Sequence, residues 1–170
     1  MIAKHDEIKW AIFSIMQRAG YRAECEVTGL FREFAQNVPE SANMRKRDLI
    51  VPDLLLKNST GDRLADVKTL SHTANNYGGR KRFENGAAVN ARASRVHQEY
   101  RRKARAADRK WNNTPQNAVG PIESRLNEFG TVIPFVFGYL GEANKAVRTC
   151  LLYTSPSPRD ATLSRMPSSA

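Results

Sequence analysis

The chain has 170 residues, 41% of them apolar, and a formal net charge of +10. That length suits one domain with a single core and is short for two, and the apolar share argues against a disordered chain. No apolar run reaches the length of a membrane span, so the charge points to a polyanionic partner, nucleic acid ahead of a membrane surface.

The elements follow in chain order. Residues 3–19 carry Ile8, Ile12, Ile15 and Ala19 at helical spacing, with Gly20 as the stop. The stretch YRAECEVTGLF alternates, Tyr21, Ala23, Cys25 and Val27 facing one way, as in a half-buried strand. Residues 32–47 are polar and expected to be irregular. A buried strand is predicted over 48–56, a turn over 57–63 and the next strand over 64–70. SHTANNYGG reads as loop, 87–110 as a long helix free of breakers, and 121–129 as a short helix. TVIPFVFGYL reads as a strand, and GEANKAVR as the start of a further helix. Helix, three strands, long helix, strand is a mixed α/β order, a mixed sheet flanked by helices. The charged N-terminus, MIAKHDEIKW, lacks a secretory stretch and implies an intracellular protein, cytoplasmic or nuclear. Cys25 and Cys150 suggest neither a disulfide framework nor a zinc site.

From Cys150 the text changes. CLLYTSPSPRDATLSRMPSSA has no helical or strand period and holds three prolines and five serines. It resembles a translated sequencing-library adapter, one frame of which reads Cys-Leu-Leu-Tyr-Thr-Ser. Residues 150–170 are therefore expected to be a non-native, unstructured tail, with 1–149 a single domain truncated at its C-terminus. Without them the charge is still +9.

The chemistry concentrates in VPDLLLKNSTGDRLADVKTL, residues 51–70. Asp53 and Asp66 each sit in an apolar run where a lone carboxylate is costly. In a strand, Asp66 and Lys68 share a face, and a tight hairpin across the twelve intervening residues brings Asp53 alongside. Two carboxylates that close do not both stay ionised unless a cation lies between them. Hard oxygen ligands suit magnesium or manganese, which leave positions for phosphate and water. A neighbouring ammonium can orient that water or offset charge growing on phosphorus. The pattern therefore has a reason to exist as a site of metal-assisted phosphodiester hydrolysis. The plainer alternative is a Pro-Asp turn beside an exposed Asp66–Lys68 ion pair.

Pro52-Asp53, then Asp66-Val67-Lys68, resembles the PD-(D/E)xK signature of restriction-like endonucleases and related resolvases, and the element order is similar too. The resemblance implies a restriction-endonuclease-like fold and a Mg-dependent endodeoxyribonuclease, with manganese as the alternative ion. Asp53 and Asp66 would be metal ligands and Lys68 the catalytic lysine. Glu26 on the first strand, or Glu7 on the first helix, would supply a third carboxylate, Glu26 being preferred. AAVNARASRVHQEYRRKARAAD and GPIESRLNEFGTVIPFVFGYLGEA are also similar to nuclease-like domains of reverse-transcriptase retroelement polyproteins of algae and other protists. That likeness implies a mobile-element setting, fused to or acting with a reverse transcriptase; a homodimer is a further assembly the resemblance allows.

Residues 80–110 hold eleven Lys or Arg against three acids. Arg80, Lys81, Arg82, Arg92, Arg95, Arg102 and Lys103 are the expected DNA contacts, with Arg95, Arg102 and Arg109 at seven-residue intervals on one helix face. Val89, Ala93, Val96 and Tyr100 form the apolar stripe. Gln98 and Tyr100 do not match the spacing of the Gln/Tyr-bearing helix of some nucleases, so no role is carried to them. His5, His72 and His97 share no metal-ligand spacing, and His72 lies in the loop after Lys68. Two other functions compete: a catalytically inactive nucleic-acid-binding module of the same fold, and a basic RNA-binding protein.

Overall fold

A computed structural model describes residues 2–38, 50–73, 77 and 86–154. The elements run α1 (Ile2–Arg18), β1 (Arg22–Cys25), β2 (Leu54–Asn58), β3 (Gly61–Thr69), α2 (Ala87–Trp111), α3 (Pro121–Glu128), β4 (Ile133–Phe137) and α4 (Lys145–Thr154), with a 3-10 turn at Arg32–Phe34. The sheet has the order β1-β2-β3-β4. Its first three strands form an antiparallel meander, and β4 returns parallel to β3 after the helical crossover. This is the mixed α/β sheet, flanked by helices, that the element order implies. Among the described residues no helix is long and apolar enough to cross a membrane.

Alternation along β2 and β3 divides the core. Leu54, Leu56, Ala65 and Val67 face α1 and α4, meeting Ile12, Met16 and Val147. Leu55 and Leu64 face α2 and α3, meeting Val96, Tyr100, Ala104, Ile122 and Leu126. Each buried leucine contributes about 2 kcal/mol, which is why three in succession read as a strand covered on both faces. Helix α1 ends where expected. Gly20 takes φ 84°, its N–H donates to Gln17 O, and the Tyr21 N–H reaches back to Met16 O, a Schellman closure.

Several boundaries differ from the expectations. The predicted strand over 48–56 begins only at Leu54 within the described residues, because Pro52 has no N–H to donate; residues 48 and 49 lie outside them. The predicted turn over 57–63 is mostly strand. Lys57 pairs with Asp62 and Asn58 with Gly61, and the Asn58 side chain closes the tip by accepting from Thr60 N–H and Oγ1. The face of β1 also switches: Tyr21, Ala23 and Cys25 pack on the α1 side, but Val27 joins the opposite core. The cause is Glu26, whose φ of 46° breaks the alternation. At the other end, residues 150–154, expected to be unstructured, continue α4. Its apolar side carries on through Cys150, whose thiol meets the Met16 sulfur at 3.1 Å. Residues 155–170 lie outside the described residues.

Two fully buried carboxylates tie α2 to α3. Asp108 accepts the Ile122 and Glu123 N–H groups at 2.9 and 2.8 Å, capping the start of α3, and also accepts from the Asn112 amide. Gly120 is required beside it, since an added Cβ would stand 2.2 Å from the Asp108 carboxyl carbon. Glu123 accepts from Arg101 and Arg105. The Arg105 hydrogen bond outweighs burial and, with Arg101, holds Glu123 below the usual glutamate value of 4.5. A depressed folded value gives stability that is present above pH 4.5 and lost as pH falls through the folded value. Glu123→Gln should therefore melt below wild type at neutral pH, with the gap closing in acid, as thermal melts across pH would record.

Candidate active site

Strand β3 runs down the middle of the sheet and sends Asp66 and Lys68 to the face covered by α2. Antiparallel pairing sets Leu54 against Ala65, so Asp53, one residue earlier, comes opposite Asp66. The three expected residues are thus brought together. Lys68 Nζ lies 2.6 Å from Asp66 Oδ2. Asp53 Oδ2 accepts the Val67 N–H at 2.7 Å, which fixes the carboxylate against the strand. Burial, and next the Asp66 charge, push Asp53 above the usual aspartate range, while the Val67 N–H, Lys68 and His5 oppose that rise.

Asp66 is held from α2 as well. The buried Tyr100 hydroxyl donates to its Oδ1 at 2.8 Å. Burial, followed by the Asp66 charge, raises Tyr100 well above the ordinary phenol value, so the hydroxyl keeps its proton and stays a donor. The other oxygen, Asp66 Oδ2, is buried, receives no directed hydrogen bond among the described residues and pairs with the Lys68 ammonium at 2.6 Å. An acceptor left in that state, beside a second carboxylate, suits a hard cation. Two carboxylates are also what a magnesium ion ordinarily takes from a protein when phosphate and water fill its remaining positions.

The proposed third carboxylates do not join the pair. Glu7 is exposed on α1. Glu26 Oε1 instead accepts from Lys9 at 2.7 Å, and Lys9, buried at 3% exposure, also donates to Asp6. Burial works against the Lys9 charge, but the Glu26 and Asp6 hydrogen bonds prevail and raise it above the usual lysine value. Among the described residues, no group of three or more His, Cys, Asp or Glu side chains is placed to hold a metal. What α1 does bring is His5. Its Nε2 donates to Val67 O at 3.0 Å and stands 3.6 Å from Asp53 Oδ2, while Nδ1 faces Asp6 at 3.3 Å. His5, Asp6, Lys9 and Tyr100 escaped the sequence reading; only the unmatched Tyr100 gave any signal.

On α2, the stripe of Val89, Ala93, Val96 and Tyr100 packs inward as expected. Arg95, Arg102 and Arg109 are exposed along the opposite face. A groove of about 450 Å³ runs beside them, lined by Gln98, Arg101, Arg102, Arg105 and Arg109. Arg92 is engaged by a two-pronged ion pair with Glu99 at 2.6 and 2.9 Å, and the Lys103 ammonium lies 5.4 Å from the Tyr100 ring centre. Burial would raise Glu99, but Arg92 foremost, with Lys68 and Lys103, keeps it below the usual value. Arg80, Lys81 and Arg82 lie outside the described residues.

Comparison of the chain with protein-family models, curated proteins and solved structures returns no match. The class that can be stated is an α/β protein in which buried Asp66 and half-buried Lys68 on an inner strand of the sheet meet half-buried Asp53. What it does rests on that geometry.

Proposed function

We propose that the protein is a magnesium-dependent endonuclease that hydrolyses DNA phosphodiester bonds. One observation carries the reading. Asp66 and Lys68 meet at 2.6 Å on a buried strand with Asp53 opposite, an expensive grouping for a fold to keep without use. Asp53 and Asp66 would hold the magnesium, or manganese in its place. When bound, such an ion supplies a polarised phosphoryl oxygen and a water of lowered pKa. Lys68 would orient the attacking water or offset charge developing on phosphorus. Tyr100 keeps Asp66 aimed, and the Val67 N–H does the same for Asp53. The ridge of Arg95, Arg102 and Arg109 would track the phosphate backbone, with strong salt dependence. An intracellular setting, cytoplasmic or nuclear, belongs to this reading; a mobile-element setting rests on the sequence likeness alone.

Plasmid nicking tests it. With magnesium, wild type should nick supercoiled DNA, chelation should stop it, and Asp66→Asn should lower the rate at least about a hundredfold. Equal nicking by both proteins contradicts the assignment. The competing reading is a binding module of the same fold without chemistry. DNA retention without nicking by wild type would establish it.

Asp53 yields a second expectation, with its own sign. A carboxyl raised in the folded state favours the protonated form, so stability from this group falls as pH rises through the folded value. Asp53→Asn removes that cost and keeps an acceptor for the Val67 N–H. At neutral pH it should melt at or above the wild-type temperature while losing nicking. Wild-type activity should fade in acid from a higher pH than an ordinary aspartate would dictate, because the proton on Asp53 blocks the ligand.

A further inference from the structure

Beyond the carboxylates, the same end of the sheet carries an aromatic pocket. It has a volume of about 620 Å³, and its lining includes Lys4, Thr69, Ser71, His72 and Tyr139. Thr69 follows Lys68 in β3, and Lys4 precedes His5, the residue beside Asp53. The pocket therefore opens at the same end of the sheet as the candidate site, on the α1 side, where His5 stands beside Asp53.

Its walls are built, not incidental. Tyr77 is buried and stacks on His72, with ring centres 5.9 Å apart and an angle of 23° between planes. His72 leans on Tyr139 at 5.2 Å and 46°. The Tyr77 hydroxyl accepts the Tyr139 N–H at 2.8 Å, fixing the backbone that carries the outer ring. The turn itself is locked. Gly138 N–H donates to Glu142 O at 2.7 Å, and the Leu140 N–H donates to the Glu142 carboxylate at 3.0 Å. A Cβ on Gly138 would stand 2.1 Å from that carboxyl carbon, so a larger residue there would displace the Glu142 side chain. This stiff turn holds Tyr139 60% exposed and leaves His72 exposed beside it.

Large aromatic surface held in water by a hydrogen-bonded turn, beside Lys4 and at the same end of the sheet as the candidate phosphodiester site, has the chemistry of a base-stacking platform. Every base offers a π-face, so such a platform takes bases without regard to sequence. A base within intact duplex is already stacked and paired and cannot enter. We propose that Tyr139 and His72 stack an unpaired nucleotide next to the cleaved bond, so that the preferred substrate is single-stranded DNA or a duplex with an unpaired segment. For its substrate class this rests on the nuclease reading; the pocket itself can be tested apart from it.

The test is fluorescence anisotropy of the 170-residue protein with a labelled single-stranded oligonucleotide and with the matching blunt duplex, both in chelator so that nothing is cut. Tyr139→Ala should weaken single-strand binding about tenfold and leave duplex binding within about twofold. Tyr139→Phe, which keeps the ring, should bind as wild type, and His72→Ala should show a smaller loss in the same direction. Because Tyr139 is exposed, Tyr139→Ala should melt as wild type does. Unchanged single-strand binding by Tyr139→Ala, or an equal loss on both DNAs, overturns the proposal. If wild type nicks plasmid but is indifferent to Tyr139, the platform fails and the nuclease stands. If Tyr139 governs single-strand binding but no DNA is ever cut, the nuclease fails and the platform stands.

Discussion

Lys68→Ala should lower magnesium-dependent nicking by about a hundredfold or more while leaving DNA binding nearly intact. Lys68 lies 2.6 Å from Asp66 Oδ2 and is partly open to solvent at 31% side-chain exposure. No other lysine or arginine makes that contact among the described residues: Arg92 is engaged with Glu99, and Lys103 sits over the Tyr100 ring. Removing Lys68 leaves the Asp53 and Asp66 carboxylates in place, so a divalent ion still has its two ligands. Lys68 is also among the charges that oppose the rise of Asp53, so its loss should raise Asp53 further. The acid limb of the residual activity should then shift to higher pH. Nicking rates across pH, set beside filter binding of the same plasmid, measure both effects. An unchanged rate in Lys68→Ala would remove the lysine from the mechanism, and an equal loss of binding would make it a DNA contact instead.

Asp108→Ala should cost about 3 kcal/mol and lower the melting temperature by roughly 10 °C. Asp108 is fully buried and satisfies three donors at once, the Ile122 and Glu123 N–H groups and the Asn112 amide. An alanine leaves all three unmet in a dry site and removes the cap of α3. The effect should reach the active site, because Asp108 lies on the same helix as Tyr100, whose core also takes Ile122 and Leu126 of α3. Urea denaturation measures the loss directly. A cost below about 1 kcal/mol would mean that water replaces the carboxylate, contrary to its burial.

How much of this was readable depended on whether a feature is local. Asp66 and Lys68 share a face because strands alternate, and the hydrophobic runs around them announce the strands. The long helix over 87–110 was legible for the same reason, its apolar stripe and absent breakers being properties of one segment. Asp108 and Glu123 were not: in the sequence they look like any surface acid, and only the docking of α3 on α2 buries them. The Lys9 clamp on Glu26 was equally hidden, joining α1 to the residue after β1 across 17 positions. It engages the carboxylate that the nuclease resemblance put forward as a third ligand. The switch of Val27 to the other core turns on one backbone angle at Glu26, for which no residue type gives a signal. Val67 shows both kinds of information. Its place in the strand was plain, but its N–H on Asp53 and its carbonyl under His5 come from long-range packing.

The most direct measurement is manganese binding, followed by electron paramagnetic resonance of the free ion, in wild type, Asp53→Asn and Asp66→Asn. The nuclease reading requires that Asp53 and Asp66 jointly seat one divalent ion beside Lys68; wild type should bind one manganese per chain, displaced by magnesium, and each variant should lose it. Titration curves that coincide for all three proteins, or show no bound ion in wild type, would contradict the account.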